Sequence, residues 1–211
     1  SGSAGDSTSS KSINENTTAI HTFSANETVT WSLNGGADAS KFSINSSTGA
    51  LTFSSAPNYE SPTDSDSGNN YVVVVRATDS ASNTSDQTVT ISVADVDELD
   101  PNITGPSGSA GDSSSTKSIN ENTTAAHTFS ANETVSWSLN GGADASKFAI
   151  NTLTGALTFS SAPNYESPTD SDSGNNYVVV VRATDSASNT SDQTVTISVA
   201  DVDEIDPNIT G

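Results

Sequence analysis

The stretch "YVVVVRATD" at residues 71–79, repeated letter for letter at 177–185, holds one tyrosine, four valines and a single positive charge. β-Branched and aromatic side chains pack on a pleated surface better than on a helix, so the run reads as a strand. Arg76 decides its faces. A guanidinium is rarely buried, so Val72 and Val74, which share its parity, point outward with it. A strand this apolar on both sides belongs in the middle of a sheet.

Working outward, "TVTWSLN" (28–34) sets Val29, Trp31 and Leu33 against Thr28, Thr30 and Ser32, the period of a half-buried strand. "KFSI" (41–44) buries Phe42 and Ile44, "ALTF" (50–53) buries Leu51 and Phe53, and "TVTISV" (88–93) buries Val89, Ile91 and Val93. "KSIN" (11–14) and "AIHTFSA" (19–25) complete a set of seven. Between them lie "NGGADAS" (34–40), "NSSTG" (45–49) and "PNYESPTDSDSGNN" (57–70), rich in residues that permit turns. No stretch combines helical periodicity with caps. Seven short strands in about a hundred residues predict an all-β, immunoglobulin-like, Greek-key β-sandwich.

This unit is written twice. Shifted by 106 residues, 1–105 matches 107–211 with eight differences: Thr8/Ser114, Ser10/Thr116, Ile20/Ala126, Thr30/Ser136, Ser43/Ala149, Ser46/Thr152, Ser47/Leu153 and Leu99/Ile205. A period of that size is a whole domain rather than one rung of a solenoid. Two tandem domains are expected, 1–101 and 102–211, with the boundary in "PNITGPS" at 101–107. Near-identical tandem copies suit a function that gains from length more than from one unique site.

The chain carries 26 acids against 6 Lys and Arg, a formal charge of -20. That field repels nucleic acid and anionic membranes, and both are excluded as partners. No apolar run approaches the ~20 residues of a membrane span, and no basic segment leads into an apolar one as in a secretory leader. The polar composition points to a monomeric extracellular protein, of which this is an excised piece. With no cysteine, disulfides cannot stabilise it, so a metal or a large core must. One histidine per copy, His21 or His127, cannot build a zinc set, no cysteine nucleophile exists, and no G-x-S-x-G turn occurs. Paired acids suit a glycosidase, but a hundred-residue sandwich offers little cleft. No enzyme is expected.

The acids nominate the metal. "DVDELDP" (95–101) places Asp95, Asp97, Glu98 and Asp100 together at the end of a strand and returns as "DVDEIDP" (201–207). Loops of a sandwich gather at its two ends, where Glu15 and Glu60 are expected to meet Asp95 and Asp97. Converging carboxylates repel by roughly a kcal/mol per close pair even in water. A hard divalent cation relieves this, and Ca²⁺, which accepts 6–8 oxygens in irregular geometry, suits mixed loops better than Mg²⁺. "DSDSGNN" (64–70) echoes the start of a Ca²⁺ loop out of register, and a separate ion there, or one at Asp112, competes with a purely structural reading.

In order and spacing, "INEN" (13–16), "WSL" (31–33), "FSINSSTGALTF" (42–53), "NYE" (58–60), "YVVVVRATD" (71–79) and "VTISVADVDELDP" (89–101) resemble cadherin repeats. The resemblance is closest to the cadherin-like repeats of giant bacterial surface adhesins of the RTX and biofilm-associated type. It implies Ca²⁺ between successive domains. Glu15 matches the family's first glutamate, Glu60 that of its D-R-E triplet, and Asp95, Asp97 and Glu98 its D-x-N-D-N linker, with Asp100 close behind. Asp185 matches the A-x-D aspartate of the following domain, where "SANET" (130–134) replaces a D-x-D motif and offers Asn132 and Glu133. Glu121, Glu166, Asp201 and Asp203 are the same positions in the second copy. Asn58 and Leu99 depart from the pattern, which calls for Asp and Asn.

The resemblance implies stalk repeats of a secreted adhesin, with neighbouring repeats as partners and Ca²⁺ stiffening an otherwise flexible Ser/Gly-rich connection. The alternative is a module that binds a ligand, either another copy of itself or a carbohydrate. Trp31 and Trp137, on the inward parity of their strand, are expected in the core rather than on a sugar-stacking platform.

Overall fold

In a computed structural model, residues 5–205 are described. The chain divides between Val96 and Asp97 into two compact units. The first contains β1 (Thr8–Asn14), β2 (Ala19–Thr22), β3 (Thr30–Leu33), β4 (Phe42–Ile44), β5 (Ala50–Phe53), β6 (Asn70–Thr78) and β7 (Thr84–Ala94). One sheet has the order β1-β7-β6-β3, the other β2-β5-β4. Tyr71, Val73 and Val75 of β6 and Val89, Ile91 and Val93 of β7 face Leu51, Phe53 and Phe42 across the sandwich. Val72 and Val74 alternate with them on the outer face beside Arg76, which Asp86 on β7 meets through two 2.7 Å hydrogen bonds. The fold is an all-β sandwich of seven strands, and among the described residues helix is limited to single 3-10 turns at Ala39–Lys41 and Ala145–Lys147.

One pairing positions everything that follows. β1 runs parallel to β7, with Ile13 opposite Val93 and Asn14 opposite Ala94. The residue after each strand, Glu15 and Asp95, therefore leaves the sheet side by side. β6 and β7 are antiparallel, with Asn70 opposite Ser92 and Thr78 opposite Thr84. Glu15 and Asp95 thus occupy one end of the unit, and Asp79, after β6, lies at the other, roughly 27 Å of strand away.

The second unit repeats this plan in β9 (Ser114–Asn120), β10 (Ala125–Thr128), β12 (Ser136–Leu139), β13 (Phe148–Ile150), β14 (Ala156–Phe159), β15 (Asn176–Thr184) and β16 (Thr190–Ala200). It adds a short ladder of β8 (Ile103–Thr104) with β11 (Ser130–Ala131). This ladder lies on the second-domain side of the expected 101/102 boundary. "PNIT" reads as linker because Pro, Asn and Thr punctuate turns, yet Ile103 is 2% exposed and belongs to the second unit's core. The connection is no loose coil either. The Gly111 amide donates to the Ile103 carbonyl at 2.9 Å, and the Asp112 carboxylate accepts from the Ser109 amide at 2.7 Å. Asp112 is thereby the organiser of a turn. Gly105 sits so close to Gln193 that a Cβ would lie 2.0 Å from its Oε1.

Candidate metal centre

Among the described residues, three groups of acids bring their carboxylate oxygens within 4.8 Å of one another. In the first unit, Glu15, Glu60 and Asp95 converge. The parallel register of β1 and β7 supplies two of them, and the loop after Pro57 the third. The Asn16 amide donates to the Pro57 carbonyl at 3.0 Å, and Asn16 adopts φ 60° to make that turn. Glu15 is 1% exposed. Its Oε2 accepts from the Tyr59 amide at 2.7 Å and its Oε1 from the Val96 amide at 2.9 Å. Those two amides hold its carboxyl below the ordinary glutamate range against the opposing pull of burial. Glu15 is fixed and ionised, with lone pairs to spare.

The second unit has one such group at each end. Glu121, Glu166 and Glu204 form the counterpart of the first group. Glu121 accepts from the Tyr165 and Val202 amides as Glu15 does from Tyr59 and Val96. A hydrogen bond to its own backbone amide favours ionised Glu166, but burial and the carboxylates of Glu121, Glu204 and Asp201 outweigh it and push the group upward. At the other end Asp97, Glu133 and Asp185 meet. Asn189 aims this group. Its backbone and side-chain amides donate to Asp185 at 2.8 and 2.9 Å, and the same side chain reaches the Asp97 carbonyl at 2.8 Å. Burial first, then the charges of Asp185 and Asp97, push Glu133 upward.

The expected residues therefore separate by position. Asp97, expected beside Glu15, Glu60 and Asp95, instead joins Glu133 and Asp185 within the second unit, because the chain from Asp97 onward packs there. Asp100 accepts from the Thr190 amide at 3.2 Å, and the Asn132 side chain accepts from the Asn102 amide at 2.6 Å. Both anchor the segment that carries Asp97. Asp203 accepts from the Ile205 amide at 3.0 Å, the turn that Asp97 makes with Leu99 at 3.1 Å. Asp201 stands near Glu166 without joining the three closest acids, and Glu98 lies outside the three groups. Glu204 went unnamed in the sequence reading, although shifting Glu98 by the repeat length points to it. Asn189 had no sequence signal of its own.

Other acids serve the fold. Asp38, 3% exposed, accepts from the Ser65 and Val72 amides at 2.6 and 2.8 Å. In the "DSDSGNN" loop, buried Asp64 accepts from the amides of Gly68, Asn69 and Asn70. A carboxylate bonded to several amides closes a loop without any cation.

The donor chemistry of the three groups fits a hard cation. Every side-chain donor is oxygen. With Ca–O distances of about 2.3–2.6 Å, oxygens on opposite sides of one ion lie about 5 Å apart, so oxygens within 4.8 Å can share it. The guanidiniums are engaged elsewhere, Arg76 with Asp86 and Arg182 with Asp192, each at 2.7 Å.

By sequence, the chain matches no protein-family model and no curated protein. By structure, it is similar to cadherin ectodomains. Extracellular cadherin domains 3–6 of protocadherin gamma B2 align over 94% of the chain at 16% identity with a TM-score of 0.52. The human desmocollin-1 ectodomain aligns over 96% at 16% identity and 0.54. Each unit has the cadherin-repeat fold. Human protocadherin-24 EC1-2 aligns over 93% of this chain and 95% of its own length, at 15% identity and a TM-score of 0.53. The chain spans 51% and 42% of the first two. No helix among the described residues is long and apolar enough to cross a membrane.

Proposed function

We propose that the chain is a pair of calcium-rigidified extender repeats from the stalk of a secreted bacterial adhesin, holding a distal binding region away from the cell surface. One observation carries the reading. A three-carboxylate group of the first unit ends at Asp95, another in the second unit begins at Asp97, and only Val96 stands between them. Two peptide steps span at most about 7 Å. Glu15, Glu60 and Asp95 would hold one ion and Asp97, Glu133 and Asp185 another; calcium bound there supplies the positive charge that offsets carboxylate repulsion.

The chain's own groups do the rest. The Val96 amide is tied to Glu15, and the Asp97 carbonyl to Asn189. The three residues that join the units are thus anchored at both ends, and neutralised carboxylates remove the force that would pull those anchors apart. Binding to the folded state alone adds RT ln(1 + [L]/Kd), about 2–4 kcal/mol at 100–1,000 Kd. Extracellular modules hold calcium at about 10⁻⁴–10⁻³ M, so extracellular fluid fills such sites and cytosol does not. The cadherin-like fold supports a part in adhesion, and the extender role draws on the near-identity of the copies. Small-angle scattering with calcium and with EDTA tests it. The expected result is a longer, narrower distance distribution and a higher unfolding temperature in calcium; identical curves and melts would refute the reading.

A further inference from the structure

The two units differ at one place far more than eight substitutions explain. The first has an open cavity of about 520 Å³ beside Trp31, lined by Phe23, Val29, Val75, Ala77 and Gln87. Trp31 is half-buried there. In the second unit Phe129, Trp137, Ala183 and Gln193 are buried, Trp137 at 4% exposure, where Phe23, Trp31, Ala77 and Gln87 are half-buried; Val75 and Val181 are buried in both units, and Val29 and Val135 half-buried in both. None of these positions is substituted between copies. What differs is a neighbour. Ile103 belongs to the same core cluster as Phe129, Trp137 and Ala183, and the backbone around it pairs with Ser130 and Ala131. The repeat offset that carries Trp137 onto Trp31 places the counterpart of Ile103 ahead of Ser1.

The receiving surface is already formed. Gln87 donates to the Asp6 carbonyl at 2.9 Å and accepts from the Ser9 hydroxyl at 3.0 Å. Gln193 makes the same two bonds, to Asp112 and from Ser115, at 2.8 Å each. The Phe23–Trp31 and Phe129–Trp137 ring pairs are both 5.9 Å apart and inclined at 37°. A pocket that keeps its shape when open is built for an occupant. The chain itself carries the occupant's sequence, since "PNITG" stands at 101–105 and again at 207–211.

We propose that the cavity beside Trp31 is the receiving site for the Pro-Asn-Ile-Thr segment of another copy of this repeat, so that copies join head to tail. The isoleucine fills the cavity and the flanking backbone adds a short strand at Ser24 and Ala25, as β8 does at β11. Glu27 and Asp79 also border the cavity and are the counterparts of Glu133 and Asp185, so the test is run in EDTA, where the isoleucine alone is read and failure of the calcium reading leaves the result unchanged.

The test duplicates residues 95–106 ahead of Ser1 in the full chain, with Ile103→Asp inside the added copy as the control. The readouts are the Trp31 indole amide resonance, its quenching by acrylamide, and the unfolding midpoint of the first unit. The isoleucine extension should cut Trp31 quenching several-fold and raise that midpoint, while the aspartate extension leaves both at the values of the unextended chain. Equal quenching with the two extensions overturns the proposal. In the unextended chain, shielding of Trp31 that rises with protein concentration and is lost on Ile209→Asp supports joining between separate molecules. Concentration-dependent shielding that survives Ile209→Asp assigns the cavity to a different surface and overturns it.

Discussion

The two units are near-copies in sequence, yet Trp137 is sealed in a core while its twin Trp31 is half open. The difference teaches that a repeat in the sequence need not coincide with a folding unit. The sequence period can be cut anywhere, but the fold cuts it between Val96 and Asp97, so that the second sandwich uses the chain that follows an acidic run as part of its own core. Within the second unit that segment supplies Ile103 to the core and Asp97 to the acidic group at the same end.

The sharpest way to break the comparison is to remove the sealed tryptophan. Trp137→Ala should cost the second unit about 3–5 kcal/mol, the usual range for deleting a buried aromatic, and Trp31→Ala distinctly less in the first. Calorimetry of each full-length variant, with the two units assigned by hydrogen exchange, reads both numbers. Equal losses would mean that the open cavity is closed in solution. Next in size, Ile103→Ala should cost about 2–5 kcal/mol and make Trp137 as quenchable as Trp31. If Trp137 stays shielded, something other than Ile103 covers it.

How much of this was legible beforehand follows from what each signal encodes. Alternation in 28–34 and 71–79 predicted strands and faces because side-chain period is a local property. The parallel pairing of β1 with β7 was not legible, since periodicity says nothing about partners, yet that register is what sets Glu15 beside Asp95. The acids as a class were visible, but their jobs were not: Asp64, which opens an echo of a Ca²⁺ loop in the sequence, is an acceptor for loop amides, and so is Asp38. Ile103 was misread because three of its neighbours are turn formers, and a single apolar residue among them carries no pattern.

Charge sharpens the comparison further. Glu15 and Glu121 should tolerate Gln poorly, since each carboxylate serves two amides at once and an amide side chain has only one acceptor oxygen. Glu15→Gln is expected to weaken calcium binding in the first unit and, independently, to destabilise it in EDTA. Calcium titration calorimetry and EDTA melts separate the two effects. A variant that melts like the parent in EDTA would show that Glu15 is needed only for the ion.

The smallest effect lies in the response to acid. Glu133 and Glu166 have raised folded pKa values, so in EDTA the folded second unit binds more protons than the unfolded chain just above the ordinary glutamate range. By linkage, stability there rises as pH falls. Glu15 has a lowered value, so the first unit loses stability as pH drops from the ordinary range toward that lower value. Melting in EDTA from neutral pH downward should therefore show the second unit gaining before it loses, and Glu133→Gln should shrink the gain. In calcium the order becomes an affinity difference, because protons compete first where the carboxyl is easiest to protonate. Mild acid should release calcium from the Asp97, Glu133 and Asp185 group before the Glu15, Glu60 and Asp95 group. Simultaneous release would mean that the like-charge crowding around Glu133 does not persist once the ion is bound.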